Sequence, residues 1–134
     1  MIEKSRDLML TWICLAYLHW RAKYYANQLI LIQSKREEDA GILVFNKDAQ
    51  FARMSFMEIN LPSHLQTLNF PKAGSYGHLF YPTGSHSWAI PEGGDIIRSH
   101  HPSVIFSDEA AYQPEFAKAY TAAIPAIGKS AQFI

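Results

Sequence analysis

The sequence predicts an α/β fold in which a mostly parallel sheet is flanked by helices. Segments with helical periodicity alternate along the chain with short apolar runs, which is the order that produces parallel sheets. The runs over 28–33 and 103–107 are almost continuously apolar, as is typical of strands covered on both faces. With 134 residues, of which 49% are hydrophobic and 18% charged, the chain is expected to form one globular domain.

The charge balance and the cysteine count restrict the class of protein. The 12 Lys and Arg residues equal the 12 Asp and Glu residues, so the chain carries no overall electrostatic signature of nucleic-acid binding. Cys14 is the single cysteine, which excludes an internal disulfide and fits a reducing compartment. The apolar piece over 8–17 is too short to span a membrane and no cleavage site follows it, so we expect a cytosolic protein.

The first predicted element is a helix over 11–25. Apolar residues fall on nearly every side of it, which indicates a helix buried within a larger fold. We therefore expect Cys14 to pack in the core and not to act as a nucleophile. We also expect Trp12 and Trp20 to pack in the core and not to stack on bases. For Trp88, farther along the chain, the base-stacking role stays open.

A strand over 28–33 and a helical region come next. Ser34 is placed to cap the helical region, with Glu37 at the capping-box position three residues later. The region is expected to begin near Lys35 and to run in pieces to about Asn60.

The second half of the chain predicts shorter elements separated by turn residues. They are a loop over 62–76, strands over 77–82 and 85–90 around a Thr83-Gly84 turn, a turn over 91–95, a short element over 96–99, a strand over 103–107, a helix over 114–123 ended by Pro125 and Gly128, and a strand that begins over 131–134. Because the chain opens on a helix and closes on a strand, we expect a sheet that is cut at both ends.

Two adjacent carboxylates, Asp108 and Glu109, follow the strand over 103–107. In open α/β sheets, ligands bind just outside the carboxyl ends of the strands. In nucleotide hydrolysis, a first carboxylate here can hold Mg²⁺, and a second can orient and deprotonate the attacking water. The alternative is a pair of acidic residues at a helix start, where they favour the helix dipole.

Four blocks of sequence resemble those of a known family. The blocks are Lys4-Ser-Arg-Asp-Leu-Met-Leu-Thr-Trp12, Leu29-Ile-Leu-Ile-Gln-Ser-Lys-Arg-Glu-Glu-Asp-Ala40, Gly84-Ser-His-Ser-Trp-Ala-Ile-Pro-Glu-Gly-Gly-Asp-Ile-Ile-Arg98, and Pro102-Ser-Val-Ile-Phe-Ser-Asp-Glu-Ala-Ala111 followed by Tyr120-Thr-Ala-Ala-Ile-Pro125. In this order they resemble the ATPase core of the large terminase subunit of tailed bacteriophages. The resemblance implies a P-loop NTPase-like (ASCE) sheet, incomplete at both ends, in a partial ATPase domain over 1–134 without the nuclease domain.

The first block is similar to the variant Walker A loop of these enzymes, in which the basic residue lies early in the loop. The resemblance implies nucleotide binding by Lys4, Ser5, Arg6 and Thr11, with the Thr11 hydroxyl also entering the Mg²⁺ shell. A helix N-terminus adds N–H groups and the positive end of the dipole. Met9-Leu10 occupy the positions of Gly and Lys in the usual loop. Alternatively, Lys4 and Arg6 are solvated charges before a helix.

The resemblance gives the remaining catalytic roles to three residues. It implies Asp108 as the Mg²⁺ carboxylate and Glu109 as the base or water-positioning residue, which requires Asp108 to lie within water-mediated reach of the Thr11 hydroxyl. Arg98 is the candidate for an arginine that stabilises charge in the transition state. It could instead contact DNA or pair with Asp95, and we favour the pair slightly.

The histidines do not form a recognisable metal set. His100 and His101 are adjacent, and His78 and His86 flank the predicted hairpin turn. Structural zinc sites use four ligands at set spacings, usually including Cys. The sequence therefore favours loop or surface histidines over a metal site.

The resemblance implies a fragment of a DNA-packaging motor that binds and hydrolyses ATP with Mg²⁺ to translocate DNA into the procapsid. The implied partners are double-stranded DNA, the portal protein and the small terminase subunit, with a homo-oligomeric ring in the intact protein and no membrane. The place implied is the host bacterial cytoplasm. The alternative is an inactive prophage remnant or split-gene product that acts only as a binding or structural module.

Overall fold

A computed structural model describes residues 9–46, 51–66, 74–75, 77–110, 113–127 and 131–134 of the chain. Helices and strands alternate along it, as the sequence predicts. In chain order the elements are α1 (Leu10–Tyr24), β1 (Leu29–Gln33), α2 (Glu37–Val44), α3 (Arg53–Ile59), a 3₁₀ turn (Ser63–Leu65), β2 (Gly74–Ser75), β3 (His78–Phe80), β4 (His86–Ile90), α4 (Asp95–Ser99), β5 (Val104–Ser107), α5 (Phe116–Ile127) and β6 (Gln132–Phe133).

One mixed sheet connects all the strands of the described residues, in the order β2-β3-β4-β1-β5-β6. The pairs β1·β4, β1·β5 and β5·β6 are parallel, whereas β2·β3 and β3·β4 are antiparallel. The sheet is thus mostly parallel, which confirms the predicted α/β class. The predicted hairpin is also present, because β3 and β4 pair around a turn in which Gly84 has a φ of +77°.

The sheet separates two apolar clusters, which makes the fold a three-layer α/β/α arrangement. Because strand side chains alternate between faces, Ile30 and Ile32 of β1 face the cluster that contains α1, α2 and Met54 of α3. Leu31 faces the opposite cluster, which contains α4 and α5. The central strand β1 is therefore buried on both faces, in agreement with its continuous apolar run.

Two local predictions are wrong. Ser34 does not cap α2, because the helix begins only at Glu37 and Arg36 holds the N-cap position without a capping side-chain hydrogen bond. Pro125 does not end the last helix, since α5 continues through it to Ile127. Packing of α5 alanines against the sheet outweighs the local helix-breaking tendency of proline.

The prediction that α1 is buried on all sides is also wrong. Four large side chains spaced along one face of α1 are exposed, and we call them the α1 stripe: Ile13, Tyr17, Trp20 and Tyr24. Trp20 is 45% exposed, whereas we expected it in the core. Cys14, on another side of the helix, is buried as predicted.

Within the part of the chain that the structure describes, no helix combines the length and the apolar character that crossing a membrane requires.

Candidate functional site

The carboxyl end of the parallel sheet brings two predicted site residues together. The Thr11 hydroxyl, in the first turn of α1, donates a 2.9 Å hydrogen bond to Oδ1 of Asp108. Asp108 directly follows β5, and its N–H donates to the Gln33 carbonyl at the end of β1 (2.9 Å). Residues 97 positions apart in the sequence are therefore held side by side by the β1–β5 ladder and the start of α1.

The residue before α1 has an unusual backbone conformation. Met9 has φ 48° and ψ 21°, the left-handed region that glycine occupies most easily. Its side chain is 71% exposed and therefore does not fill the space in front of the helix. The first helical hydrogen bond runs from the Ile13 N–H to the Met9 carbonyl (3.1 Å), so earlier N–H groups point out of the N-terminal end of α1.

Glu109 is also held in the left-handed region, with a φ of 54°. It is exposed and lies in the turn after β5, next to partly exposed Asp108. For a residue other than glycine, this conformation costs roughly 1–2 kcal/mol. Strain of this kind persists only when the surroundings impose it, and it clusters at functional sites.

The turn that carries Glu109 is held by Gln113, which the sequence did not single out. The Gln113 side chain donates from Nε2 to the Asp108 carbonyl (2.7 Å) and accepts at Oε1 from the Ser107 hydroxyl (3.3 Å). Gln113 is buried, so its amide bridges the end of β5 and the segment before α5 in a nearly dry environment. A glutamine in a loop gives no sequence signal for such a bridge.

Arg98 does not make the ion pair with Asp95 that we favoured. It is exposed on the short helix α4, and no salt bridge joins it to Asp95 within the described residues. Its proposed role toward a neighbouring subunit stays a prediction. Lys4, Ser5 and Arg6 lie outside the described residues, so the basic part of the predicted loop has no structural account.

The residues at the carboxyl end of the sheet fit a magnesium ion that is bound together with a nucleotide. Mg²⁺ keeps several waters and binds through one or two carboxylates plus substrate phosphates. Asp108 and Thr11 supply one carboxylate and one hydroxyl at contact distance. Over the described ranges no group of three or more His, Cys, Asp or Glu side chains could hold a metal ion. Asp108 and Thr11 therefore fit an ion that takes most of its ligands from water and phosphate.

The histidines that flank the hairpin turn contact each other. Nδ1 of His78 and Nε2 of His86 are 2.9 Å apart, so one ring donates a hydrogen bond to the other. The pKa of His86 is lowered from 6.5 to about 4, mainly by burial and also by the charges that nearby His78 and His100 would carry. Burial also lowers the pKa of His78, although Glu37 opposes this change. Both rings are therefore neutral near pH 7.

Trp88 belongs to the same group of rings. It is half-buried against the α4–α5 cluster, and its ring centroid lies 5.3 Å from that of His78 and 5.1 Å from that of His100. Packing within the protein accounts for this tryptophan, whose base-stacking role was open from the sequence.

Farther along α1, two of its side chains belong to a second polar group. We call this group the buried quartet: His19, Lys23, Glu58 and Tyr81. The carboxylate Oε2 of Glu58 is 2.9 Å from Nε2 of His19 and 2.7 Å from Nζ of Lys23. Nδ1 of His19 is 2.8 Å from the Tyr81 hydroxyl, and Lys23 also donates to the Leu65 carbonyl. Burial raises the pKa of Tyr81, so its hydroxyl stays protonated. The quartet joins α1, α3 and the end of β3.

The Thr11–Asp108 contact and the buried quartet thus both involve side chains of α1. Neither protein-family models nor the curated proteins compared with this chain give a match.

Proposed function

We propose that this chain carries the nucleotide site of a DNA-packaging ATPase related to the large terminase subunit of tailed bacteriophages. In this proposal the mostly parallel α/β sheet is that of a P-loop NTPase-like fold. ATP with Mg²⁺ binds at the carboxyl end of the sheet, in front of α1. Glu109 positions or deprotonates the attacking water, and Arg98 acts toward a neighbouring subunit.

The observation that carries the proposal is the 2.9 Å contact between the Thr11 hydroxyl and Asp108. A Mg²⁺–nucleotide site of the Walker type needs a Ser or Thr hydroxyl at the start of a helix and an Asp at the end of a neighbouring strand. Both are present, on the correct elements, and they are in contact. Thr11 and Asp108 would hold the ion, which would supply positive charge against the negative charge that develops on the phosphates.

The conformation of Met9 supports phosphate binding despite the missing glycines. The residue stands where the usual loop has glycine, and its φ of 48° is one that glycine adopts easily. At this one position the backbone therefore has a conformation typical of glycine, although the side chain is a methionine. The Met9 side chain is 71% exposed, so it does not pack over Thr11 in the first turn of α1.

The alternative explanation of Asp108 as a helix-start residue is less well supported. The α-helix that follows it, α5, begins only at Phe116. The stabilising effect of a helix dipole on a carboxylate falls off within the first turn. Asp108 instead accepts its hydrogen bond from Thr11, a residue of α1.

The wider roles belong to the same proposal. Double-stranded DNA, the portal protein and the small terminase subunit are the partners, the assembly is a homo-oligomeric ring, and the place is the bacterial cytoplasm at the procapsid. The alternative function is an inactive remnant or split-gene product that acts as a binding module. ATP turnover distinguishes the two, because only the motor requires Glu109 to act on water.

Binding of a fluorescent ATP analogue with and without Mg²⁺ tests the proposal. The wild-type chain should bind the analogue in a Mg²⁺-dependent way, and Asp108→Asn should remove this dependence. Asp95→Asn is the matched control, since Asp95 is an exposed carboxylate on α4. Glu109→Gln should bind as well as the wild type but hydrolyse no ATP.

Two results would overturn the proposal. One is the absence of Mg²⁺-dependent binding by the wild-type chain, and the other is unchanged binding by Asp108→Asn. Binding that depends on Asp108 but is never followed by hydrolysis would support the binding module.

A further inference from the structure

The hairpin of β3 and β4 holds two imidazoles side by side on one face of the sheet. His78 pairs directly with Trp88, and His86 pairs directly with Phe80. Because paired residues and residues two apart on a strand share a face, all four rings lie on the same side. Nδ1 of His78 and Nε2 of His86 are 2.9 Å apart. Strands support a site more precisely than loops do, so the sheet sets the spacing of these two nitrogens.

Neighbouring rings restrain both imidazoles. The His86 ring stacks on Phe80 with a centroid distance of 4.4 Å and an interplanar angle of 13°. The His78 ring stacks on Trp88 with a centroid distance of 5.3 Å and an interplanar angle of 22°. Both histidines are nevertheless partly exposed. The two imidazoles are therefore held by packing, while part of each residue stays in contact with solvent.

The spacing of the two nitrogens matches that of two ligands on one metal ion. Histidine nitrogens bind transition metals at about 2.0–2.1 Å, so two of them at a right angle around the ion lie about 2.9 Å apart. At the tetrahedral angle that zinc prefers, they would lie about 3.3 Å apart. Right-angle positions are typical of the square-planar and tetragonal sites of Cu²⁺ and Ni²⁺. The observed 2.9 Å therefore fits the right-angle geometry better than the tetrahedral one.

We propose that His78 and His86 together bind one divalent transition-metal ion of the Cu²⁺ and Ni²⁺ class. The ion takes the place of the proton that the two rings share in their hydrogen bond. The ring that donates this bond then carries its proton on its other nitrogen, so both imidazoles stay neutral and no proton is released. Ligand histidines have to be neutral, and both rings already are near pH 7.

Water supplies the remaining ligands of the proposed ion. His100 lies nearby, with its ring 5.1 Å from that of Trp88, but within the described residues it does not complete a group of three metal-binding side chains. The two-histidine site shares no residue with the contact between Thr11 and Asp108. Its nitrogen ligands favour Cu²⁺ and Ni²⁺, whereas the oxygen ligands of Thr11 and Asp108 suit Mg²⁺. The two sites therefore bind different metals and can be tested separately.

Calorimetric titration of the full chain with Ni²⁺ at neutral pH tests the proposal. The wild-type protein should bind one ion per chain. His78→Gln and His86→Gln should each weaken this binding at least about tenfold, because even the loss of a group that only orients a ligand costs ~10–100-fold. His64→Gln and His101→Gln are the matched controls, since both histidines are exposed and neither belongs to the pair, and these variants should bind Ni²⁺ like the wild type. Circular dichroism spectra confirm that the variants are folded.

Electron paramagnetic resonance of the wild-type protein with one equivalent of Cu²⁺ tests the ligand set without any variant. Two imidazole nitrogens should be bound to the ion. One imidazole or none, no Ni²⁺ binding by the wild type, or equal Ni²⁺ binding by the His78 and His86 variants and the controls would overturn the proposal. Asp108→Asn should bind Ni²⁺ like the wild type. Failure of the proposed nucleotide site would therefore leave the two-histidine site standing, and loss of Ni²⁺ binding would not bear on the nucleotide site.

Discussion

Two of the polar contacts of helix α1 differ in almost every physical respect. Near its N-terminus, Thr11 meets Asp108 at the partly exposed carboxyl end of the sheet. Two turns later, the same helix supplies His19 and Lys23 to the carboxylate of Glu58, which is only 1% exposed. In the first contact Thr11 is buried and Asp108 is partly exposed, whereas the second contact is enclosed by α1, α3 and the end of β3.

The difference separates a site that can bind a ligand from a structural group. A buried carboxylate is tolerated only when cations and donors compensate it, and Glu58 has both partners on one oxygen. Asp108 needs no such compensation, because it keeps part of its hydration. A partly hydrated carboxylate beside a hydroxyl and an outward-facing helix N-terminus can exchange water for a metal ion and phosphate. The buried quartet holds α1 in place, and the accessible pair carries the proposed chemistry.

The largest effect is expected from Glu58→Ala. The substitution leaves Lys23 and His19 buried without their carboxylate, which should lower the free energy of unfolding by about 3–5 kcal/mol. Chemical denaturation monitored by circular dichroism measures this change. Glu115→Ala is the control, because the Glu115–Lys118 pair is exposed and screened by solvent, so its loss should change the free energy of unfolding far less. Similar losses for both variants would show that the quartet is not the structural group we describe.

A smaller loss of stability is expected from Thr11→Val. The variant removes the hydroxyl that donates to Asp108 and keeps the shape of the side chain, so about 1.5 kcal/mol should be lost. The same variant should lose Mg²⁺-dependent binding of the ATP analogue, whereas Thr11→Ser should keep it. Loss of stability with normal binding would mean that the contact is structural, like the quartet.

The hydrogen-bonded histidines of β3 and β4 lie between these extremes, since they are half-buried. The pKa of His86 is lowered from 6.5 to about 4. The unfolded chain therefore binds more protons between these pH values, and the folded state loses stability as the pH falls through this window. After discounting for solvent screening, we expect a loss of about 1 kcal/mol. His86→Gln should flatten the pH dependence of the urea midpoint. If this variant stays as acid-sensitive as the wild type, groups other than His86 cause the loss of stability at low pH.

Much of the fold, but only part of the site, could be predicted from the sequence. Continuous apolar runs predicted β1 and β5, because a strand covered on both faces has no polar alternation. The contact of Thr11 with Asp108 joins residues far apart in the chain, and no periodicity of the sequence predicts it; the expectation came from the family resemblance. The exposed α1 stripe and the buried charges of α1 were not predicted, because apolar content does not show which face of a helix lies against the core and which lies in solvent. Gln113 was missed since side-chain bonds within a loop leave no pattern.

The smallest effect is expected from Glu109→Gly, and it separates stability from function within one residue. Glycine adopts the φ of 54° without the cost that Glu109 bears, so the free energy of unfolding should rise by about 0.5 kcal/mol. Asn27→Gly is the control, because Asn27 has a φ of 55° but asparagine tolerates this region better, and a smaller gain is expected.

Thermal denaturation and ATP turnover of the same samples complete the comparison. A more stable Glu109→Gly protein without ATPase activity would mean that the fold retains a strained glutamate for its chemistry. If Glu109→Gly is instead less stable than the wild type, the side chain of Glu109 contributes to the fold, and the turn after β5 belongs with the buried quartet as a structural group.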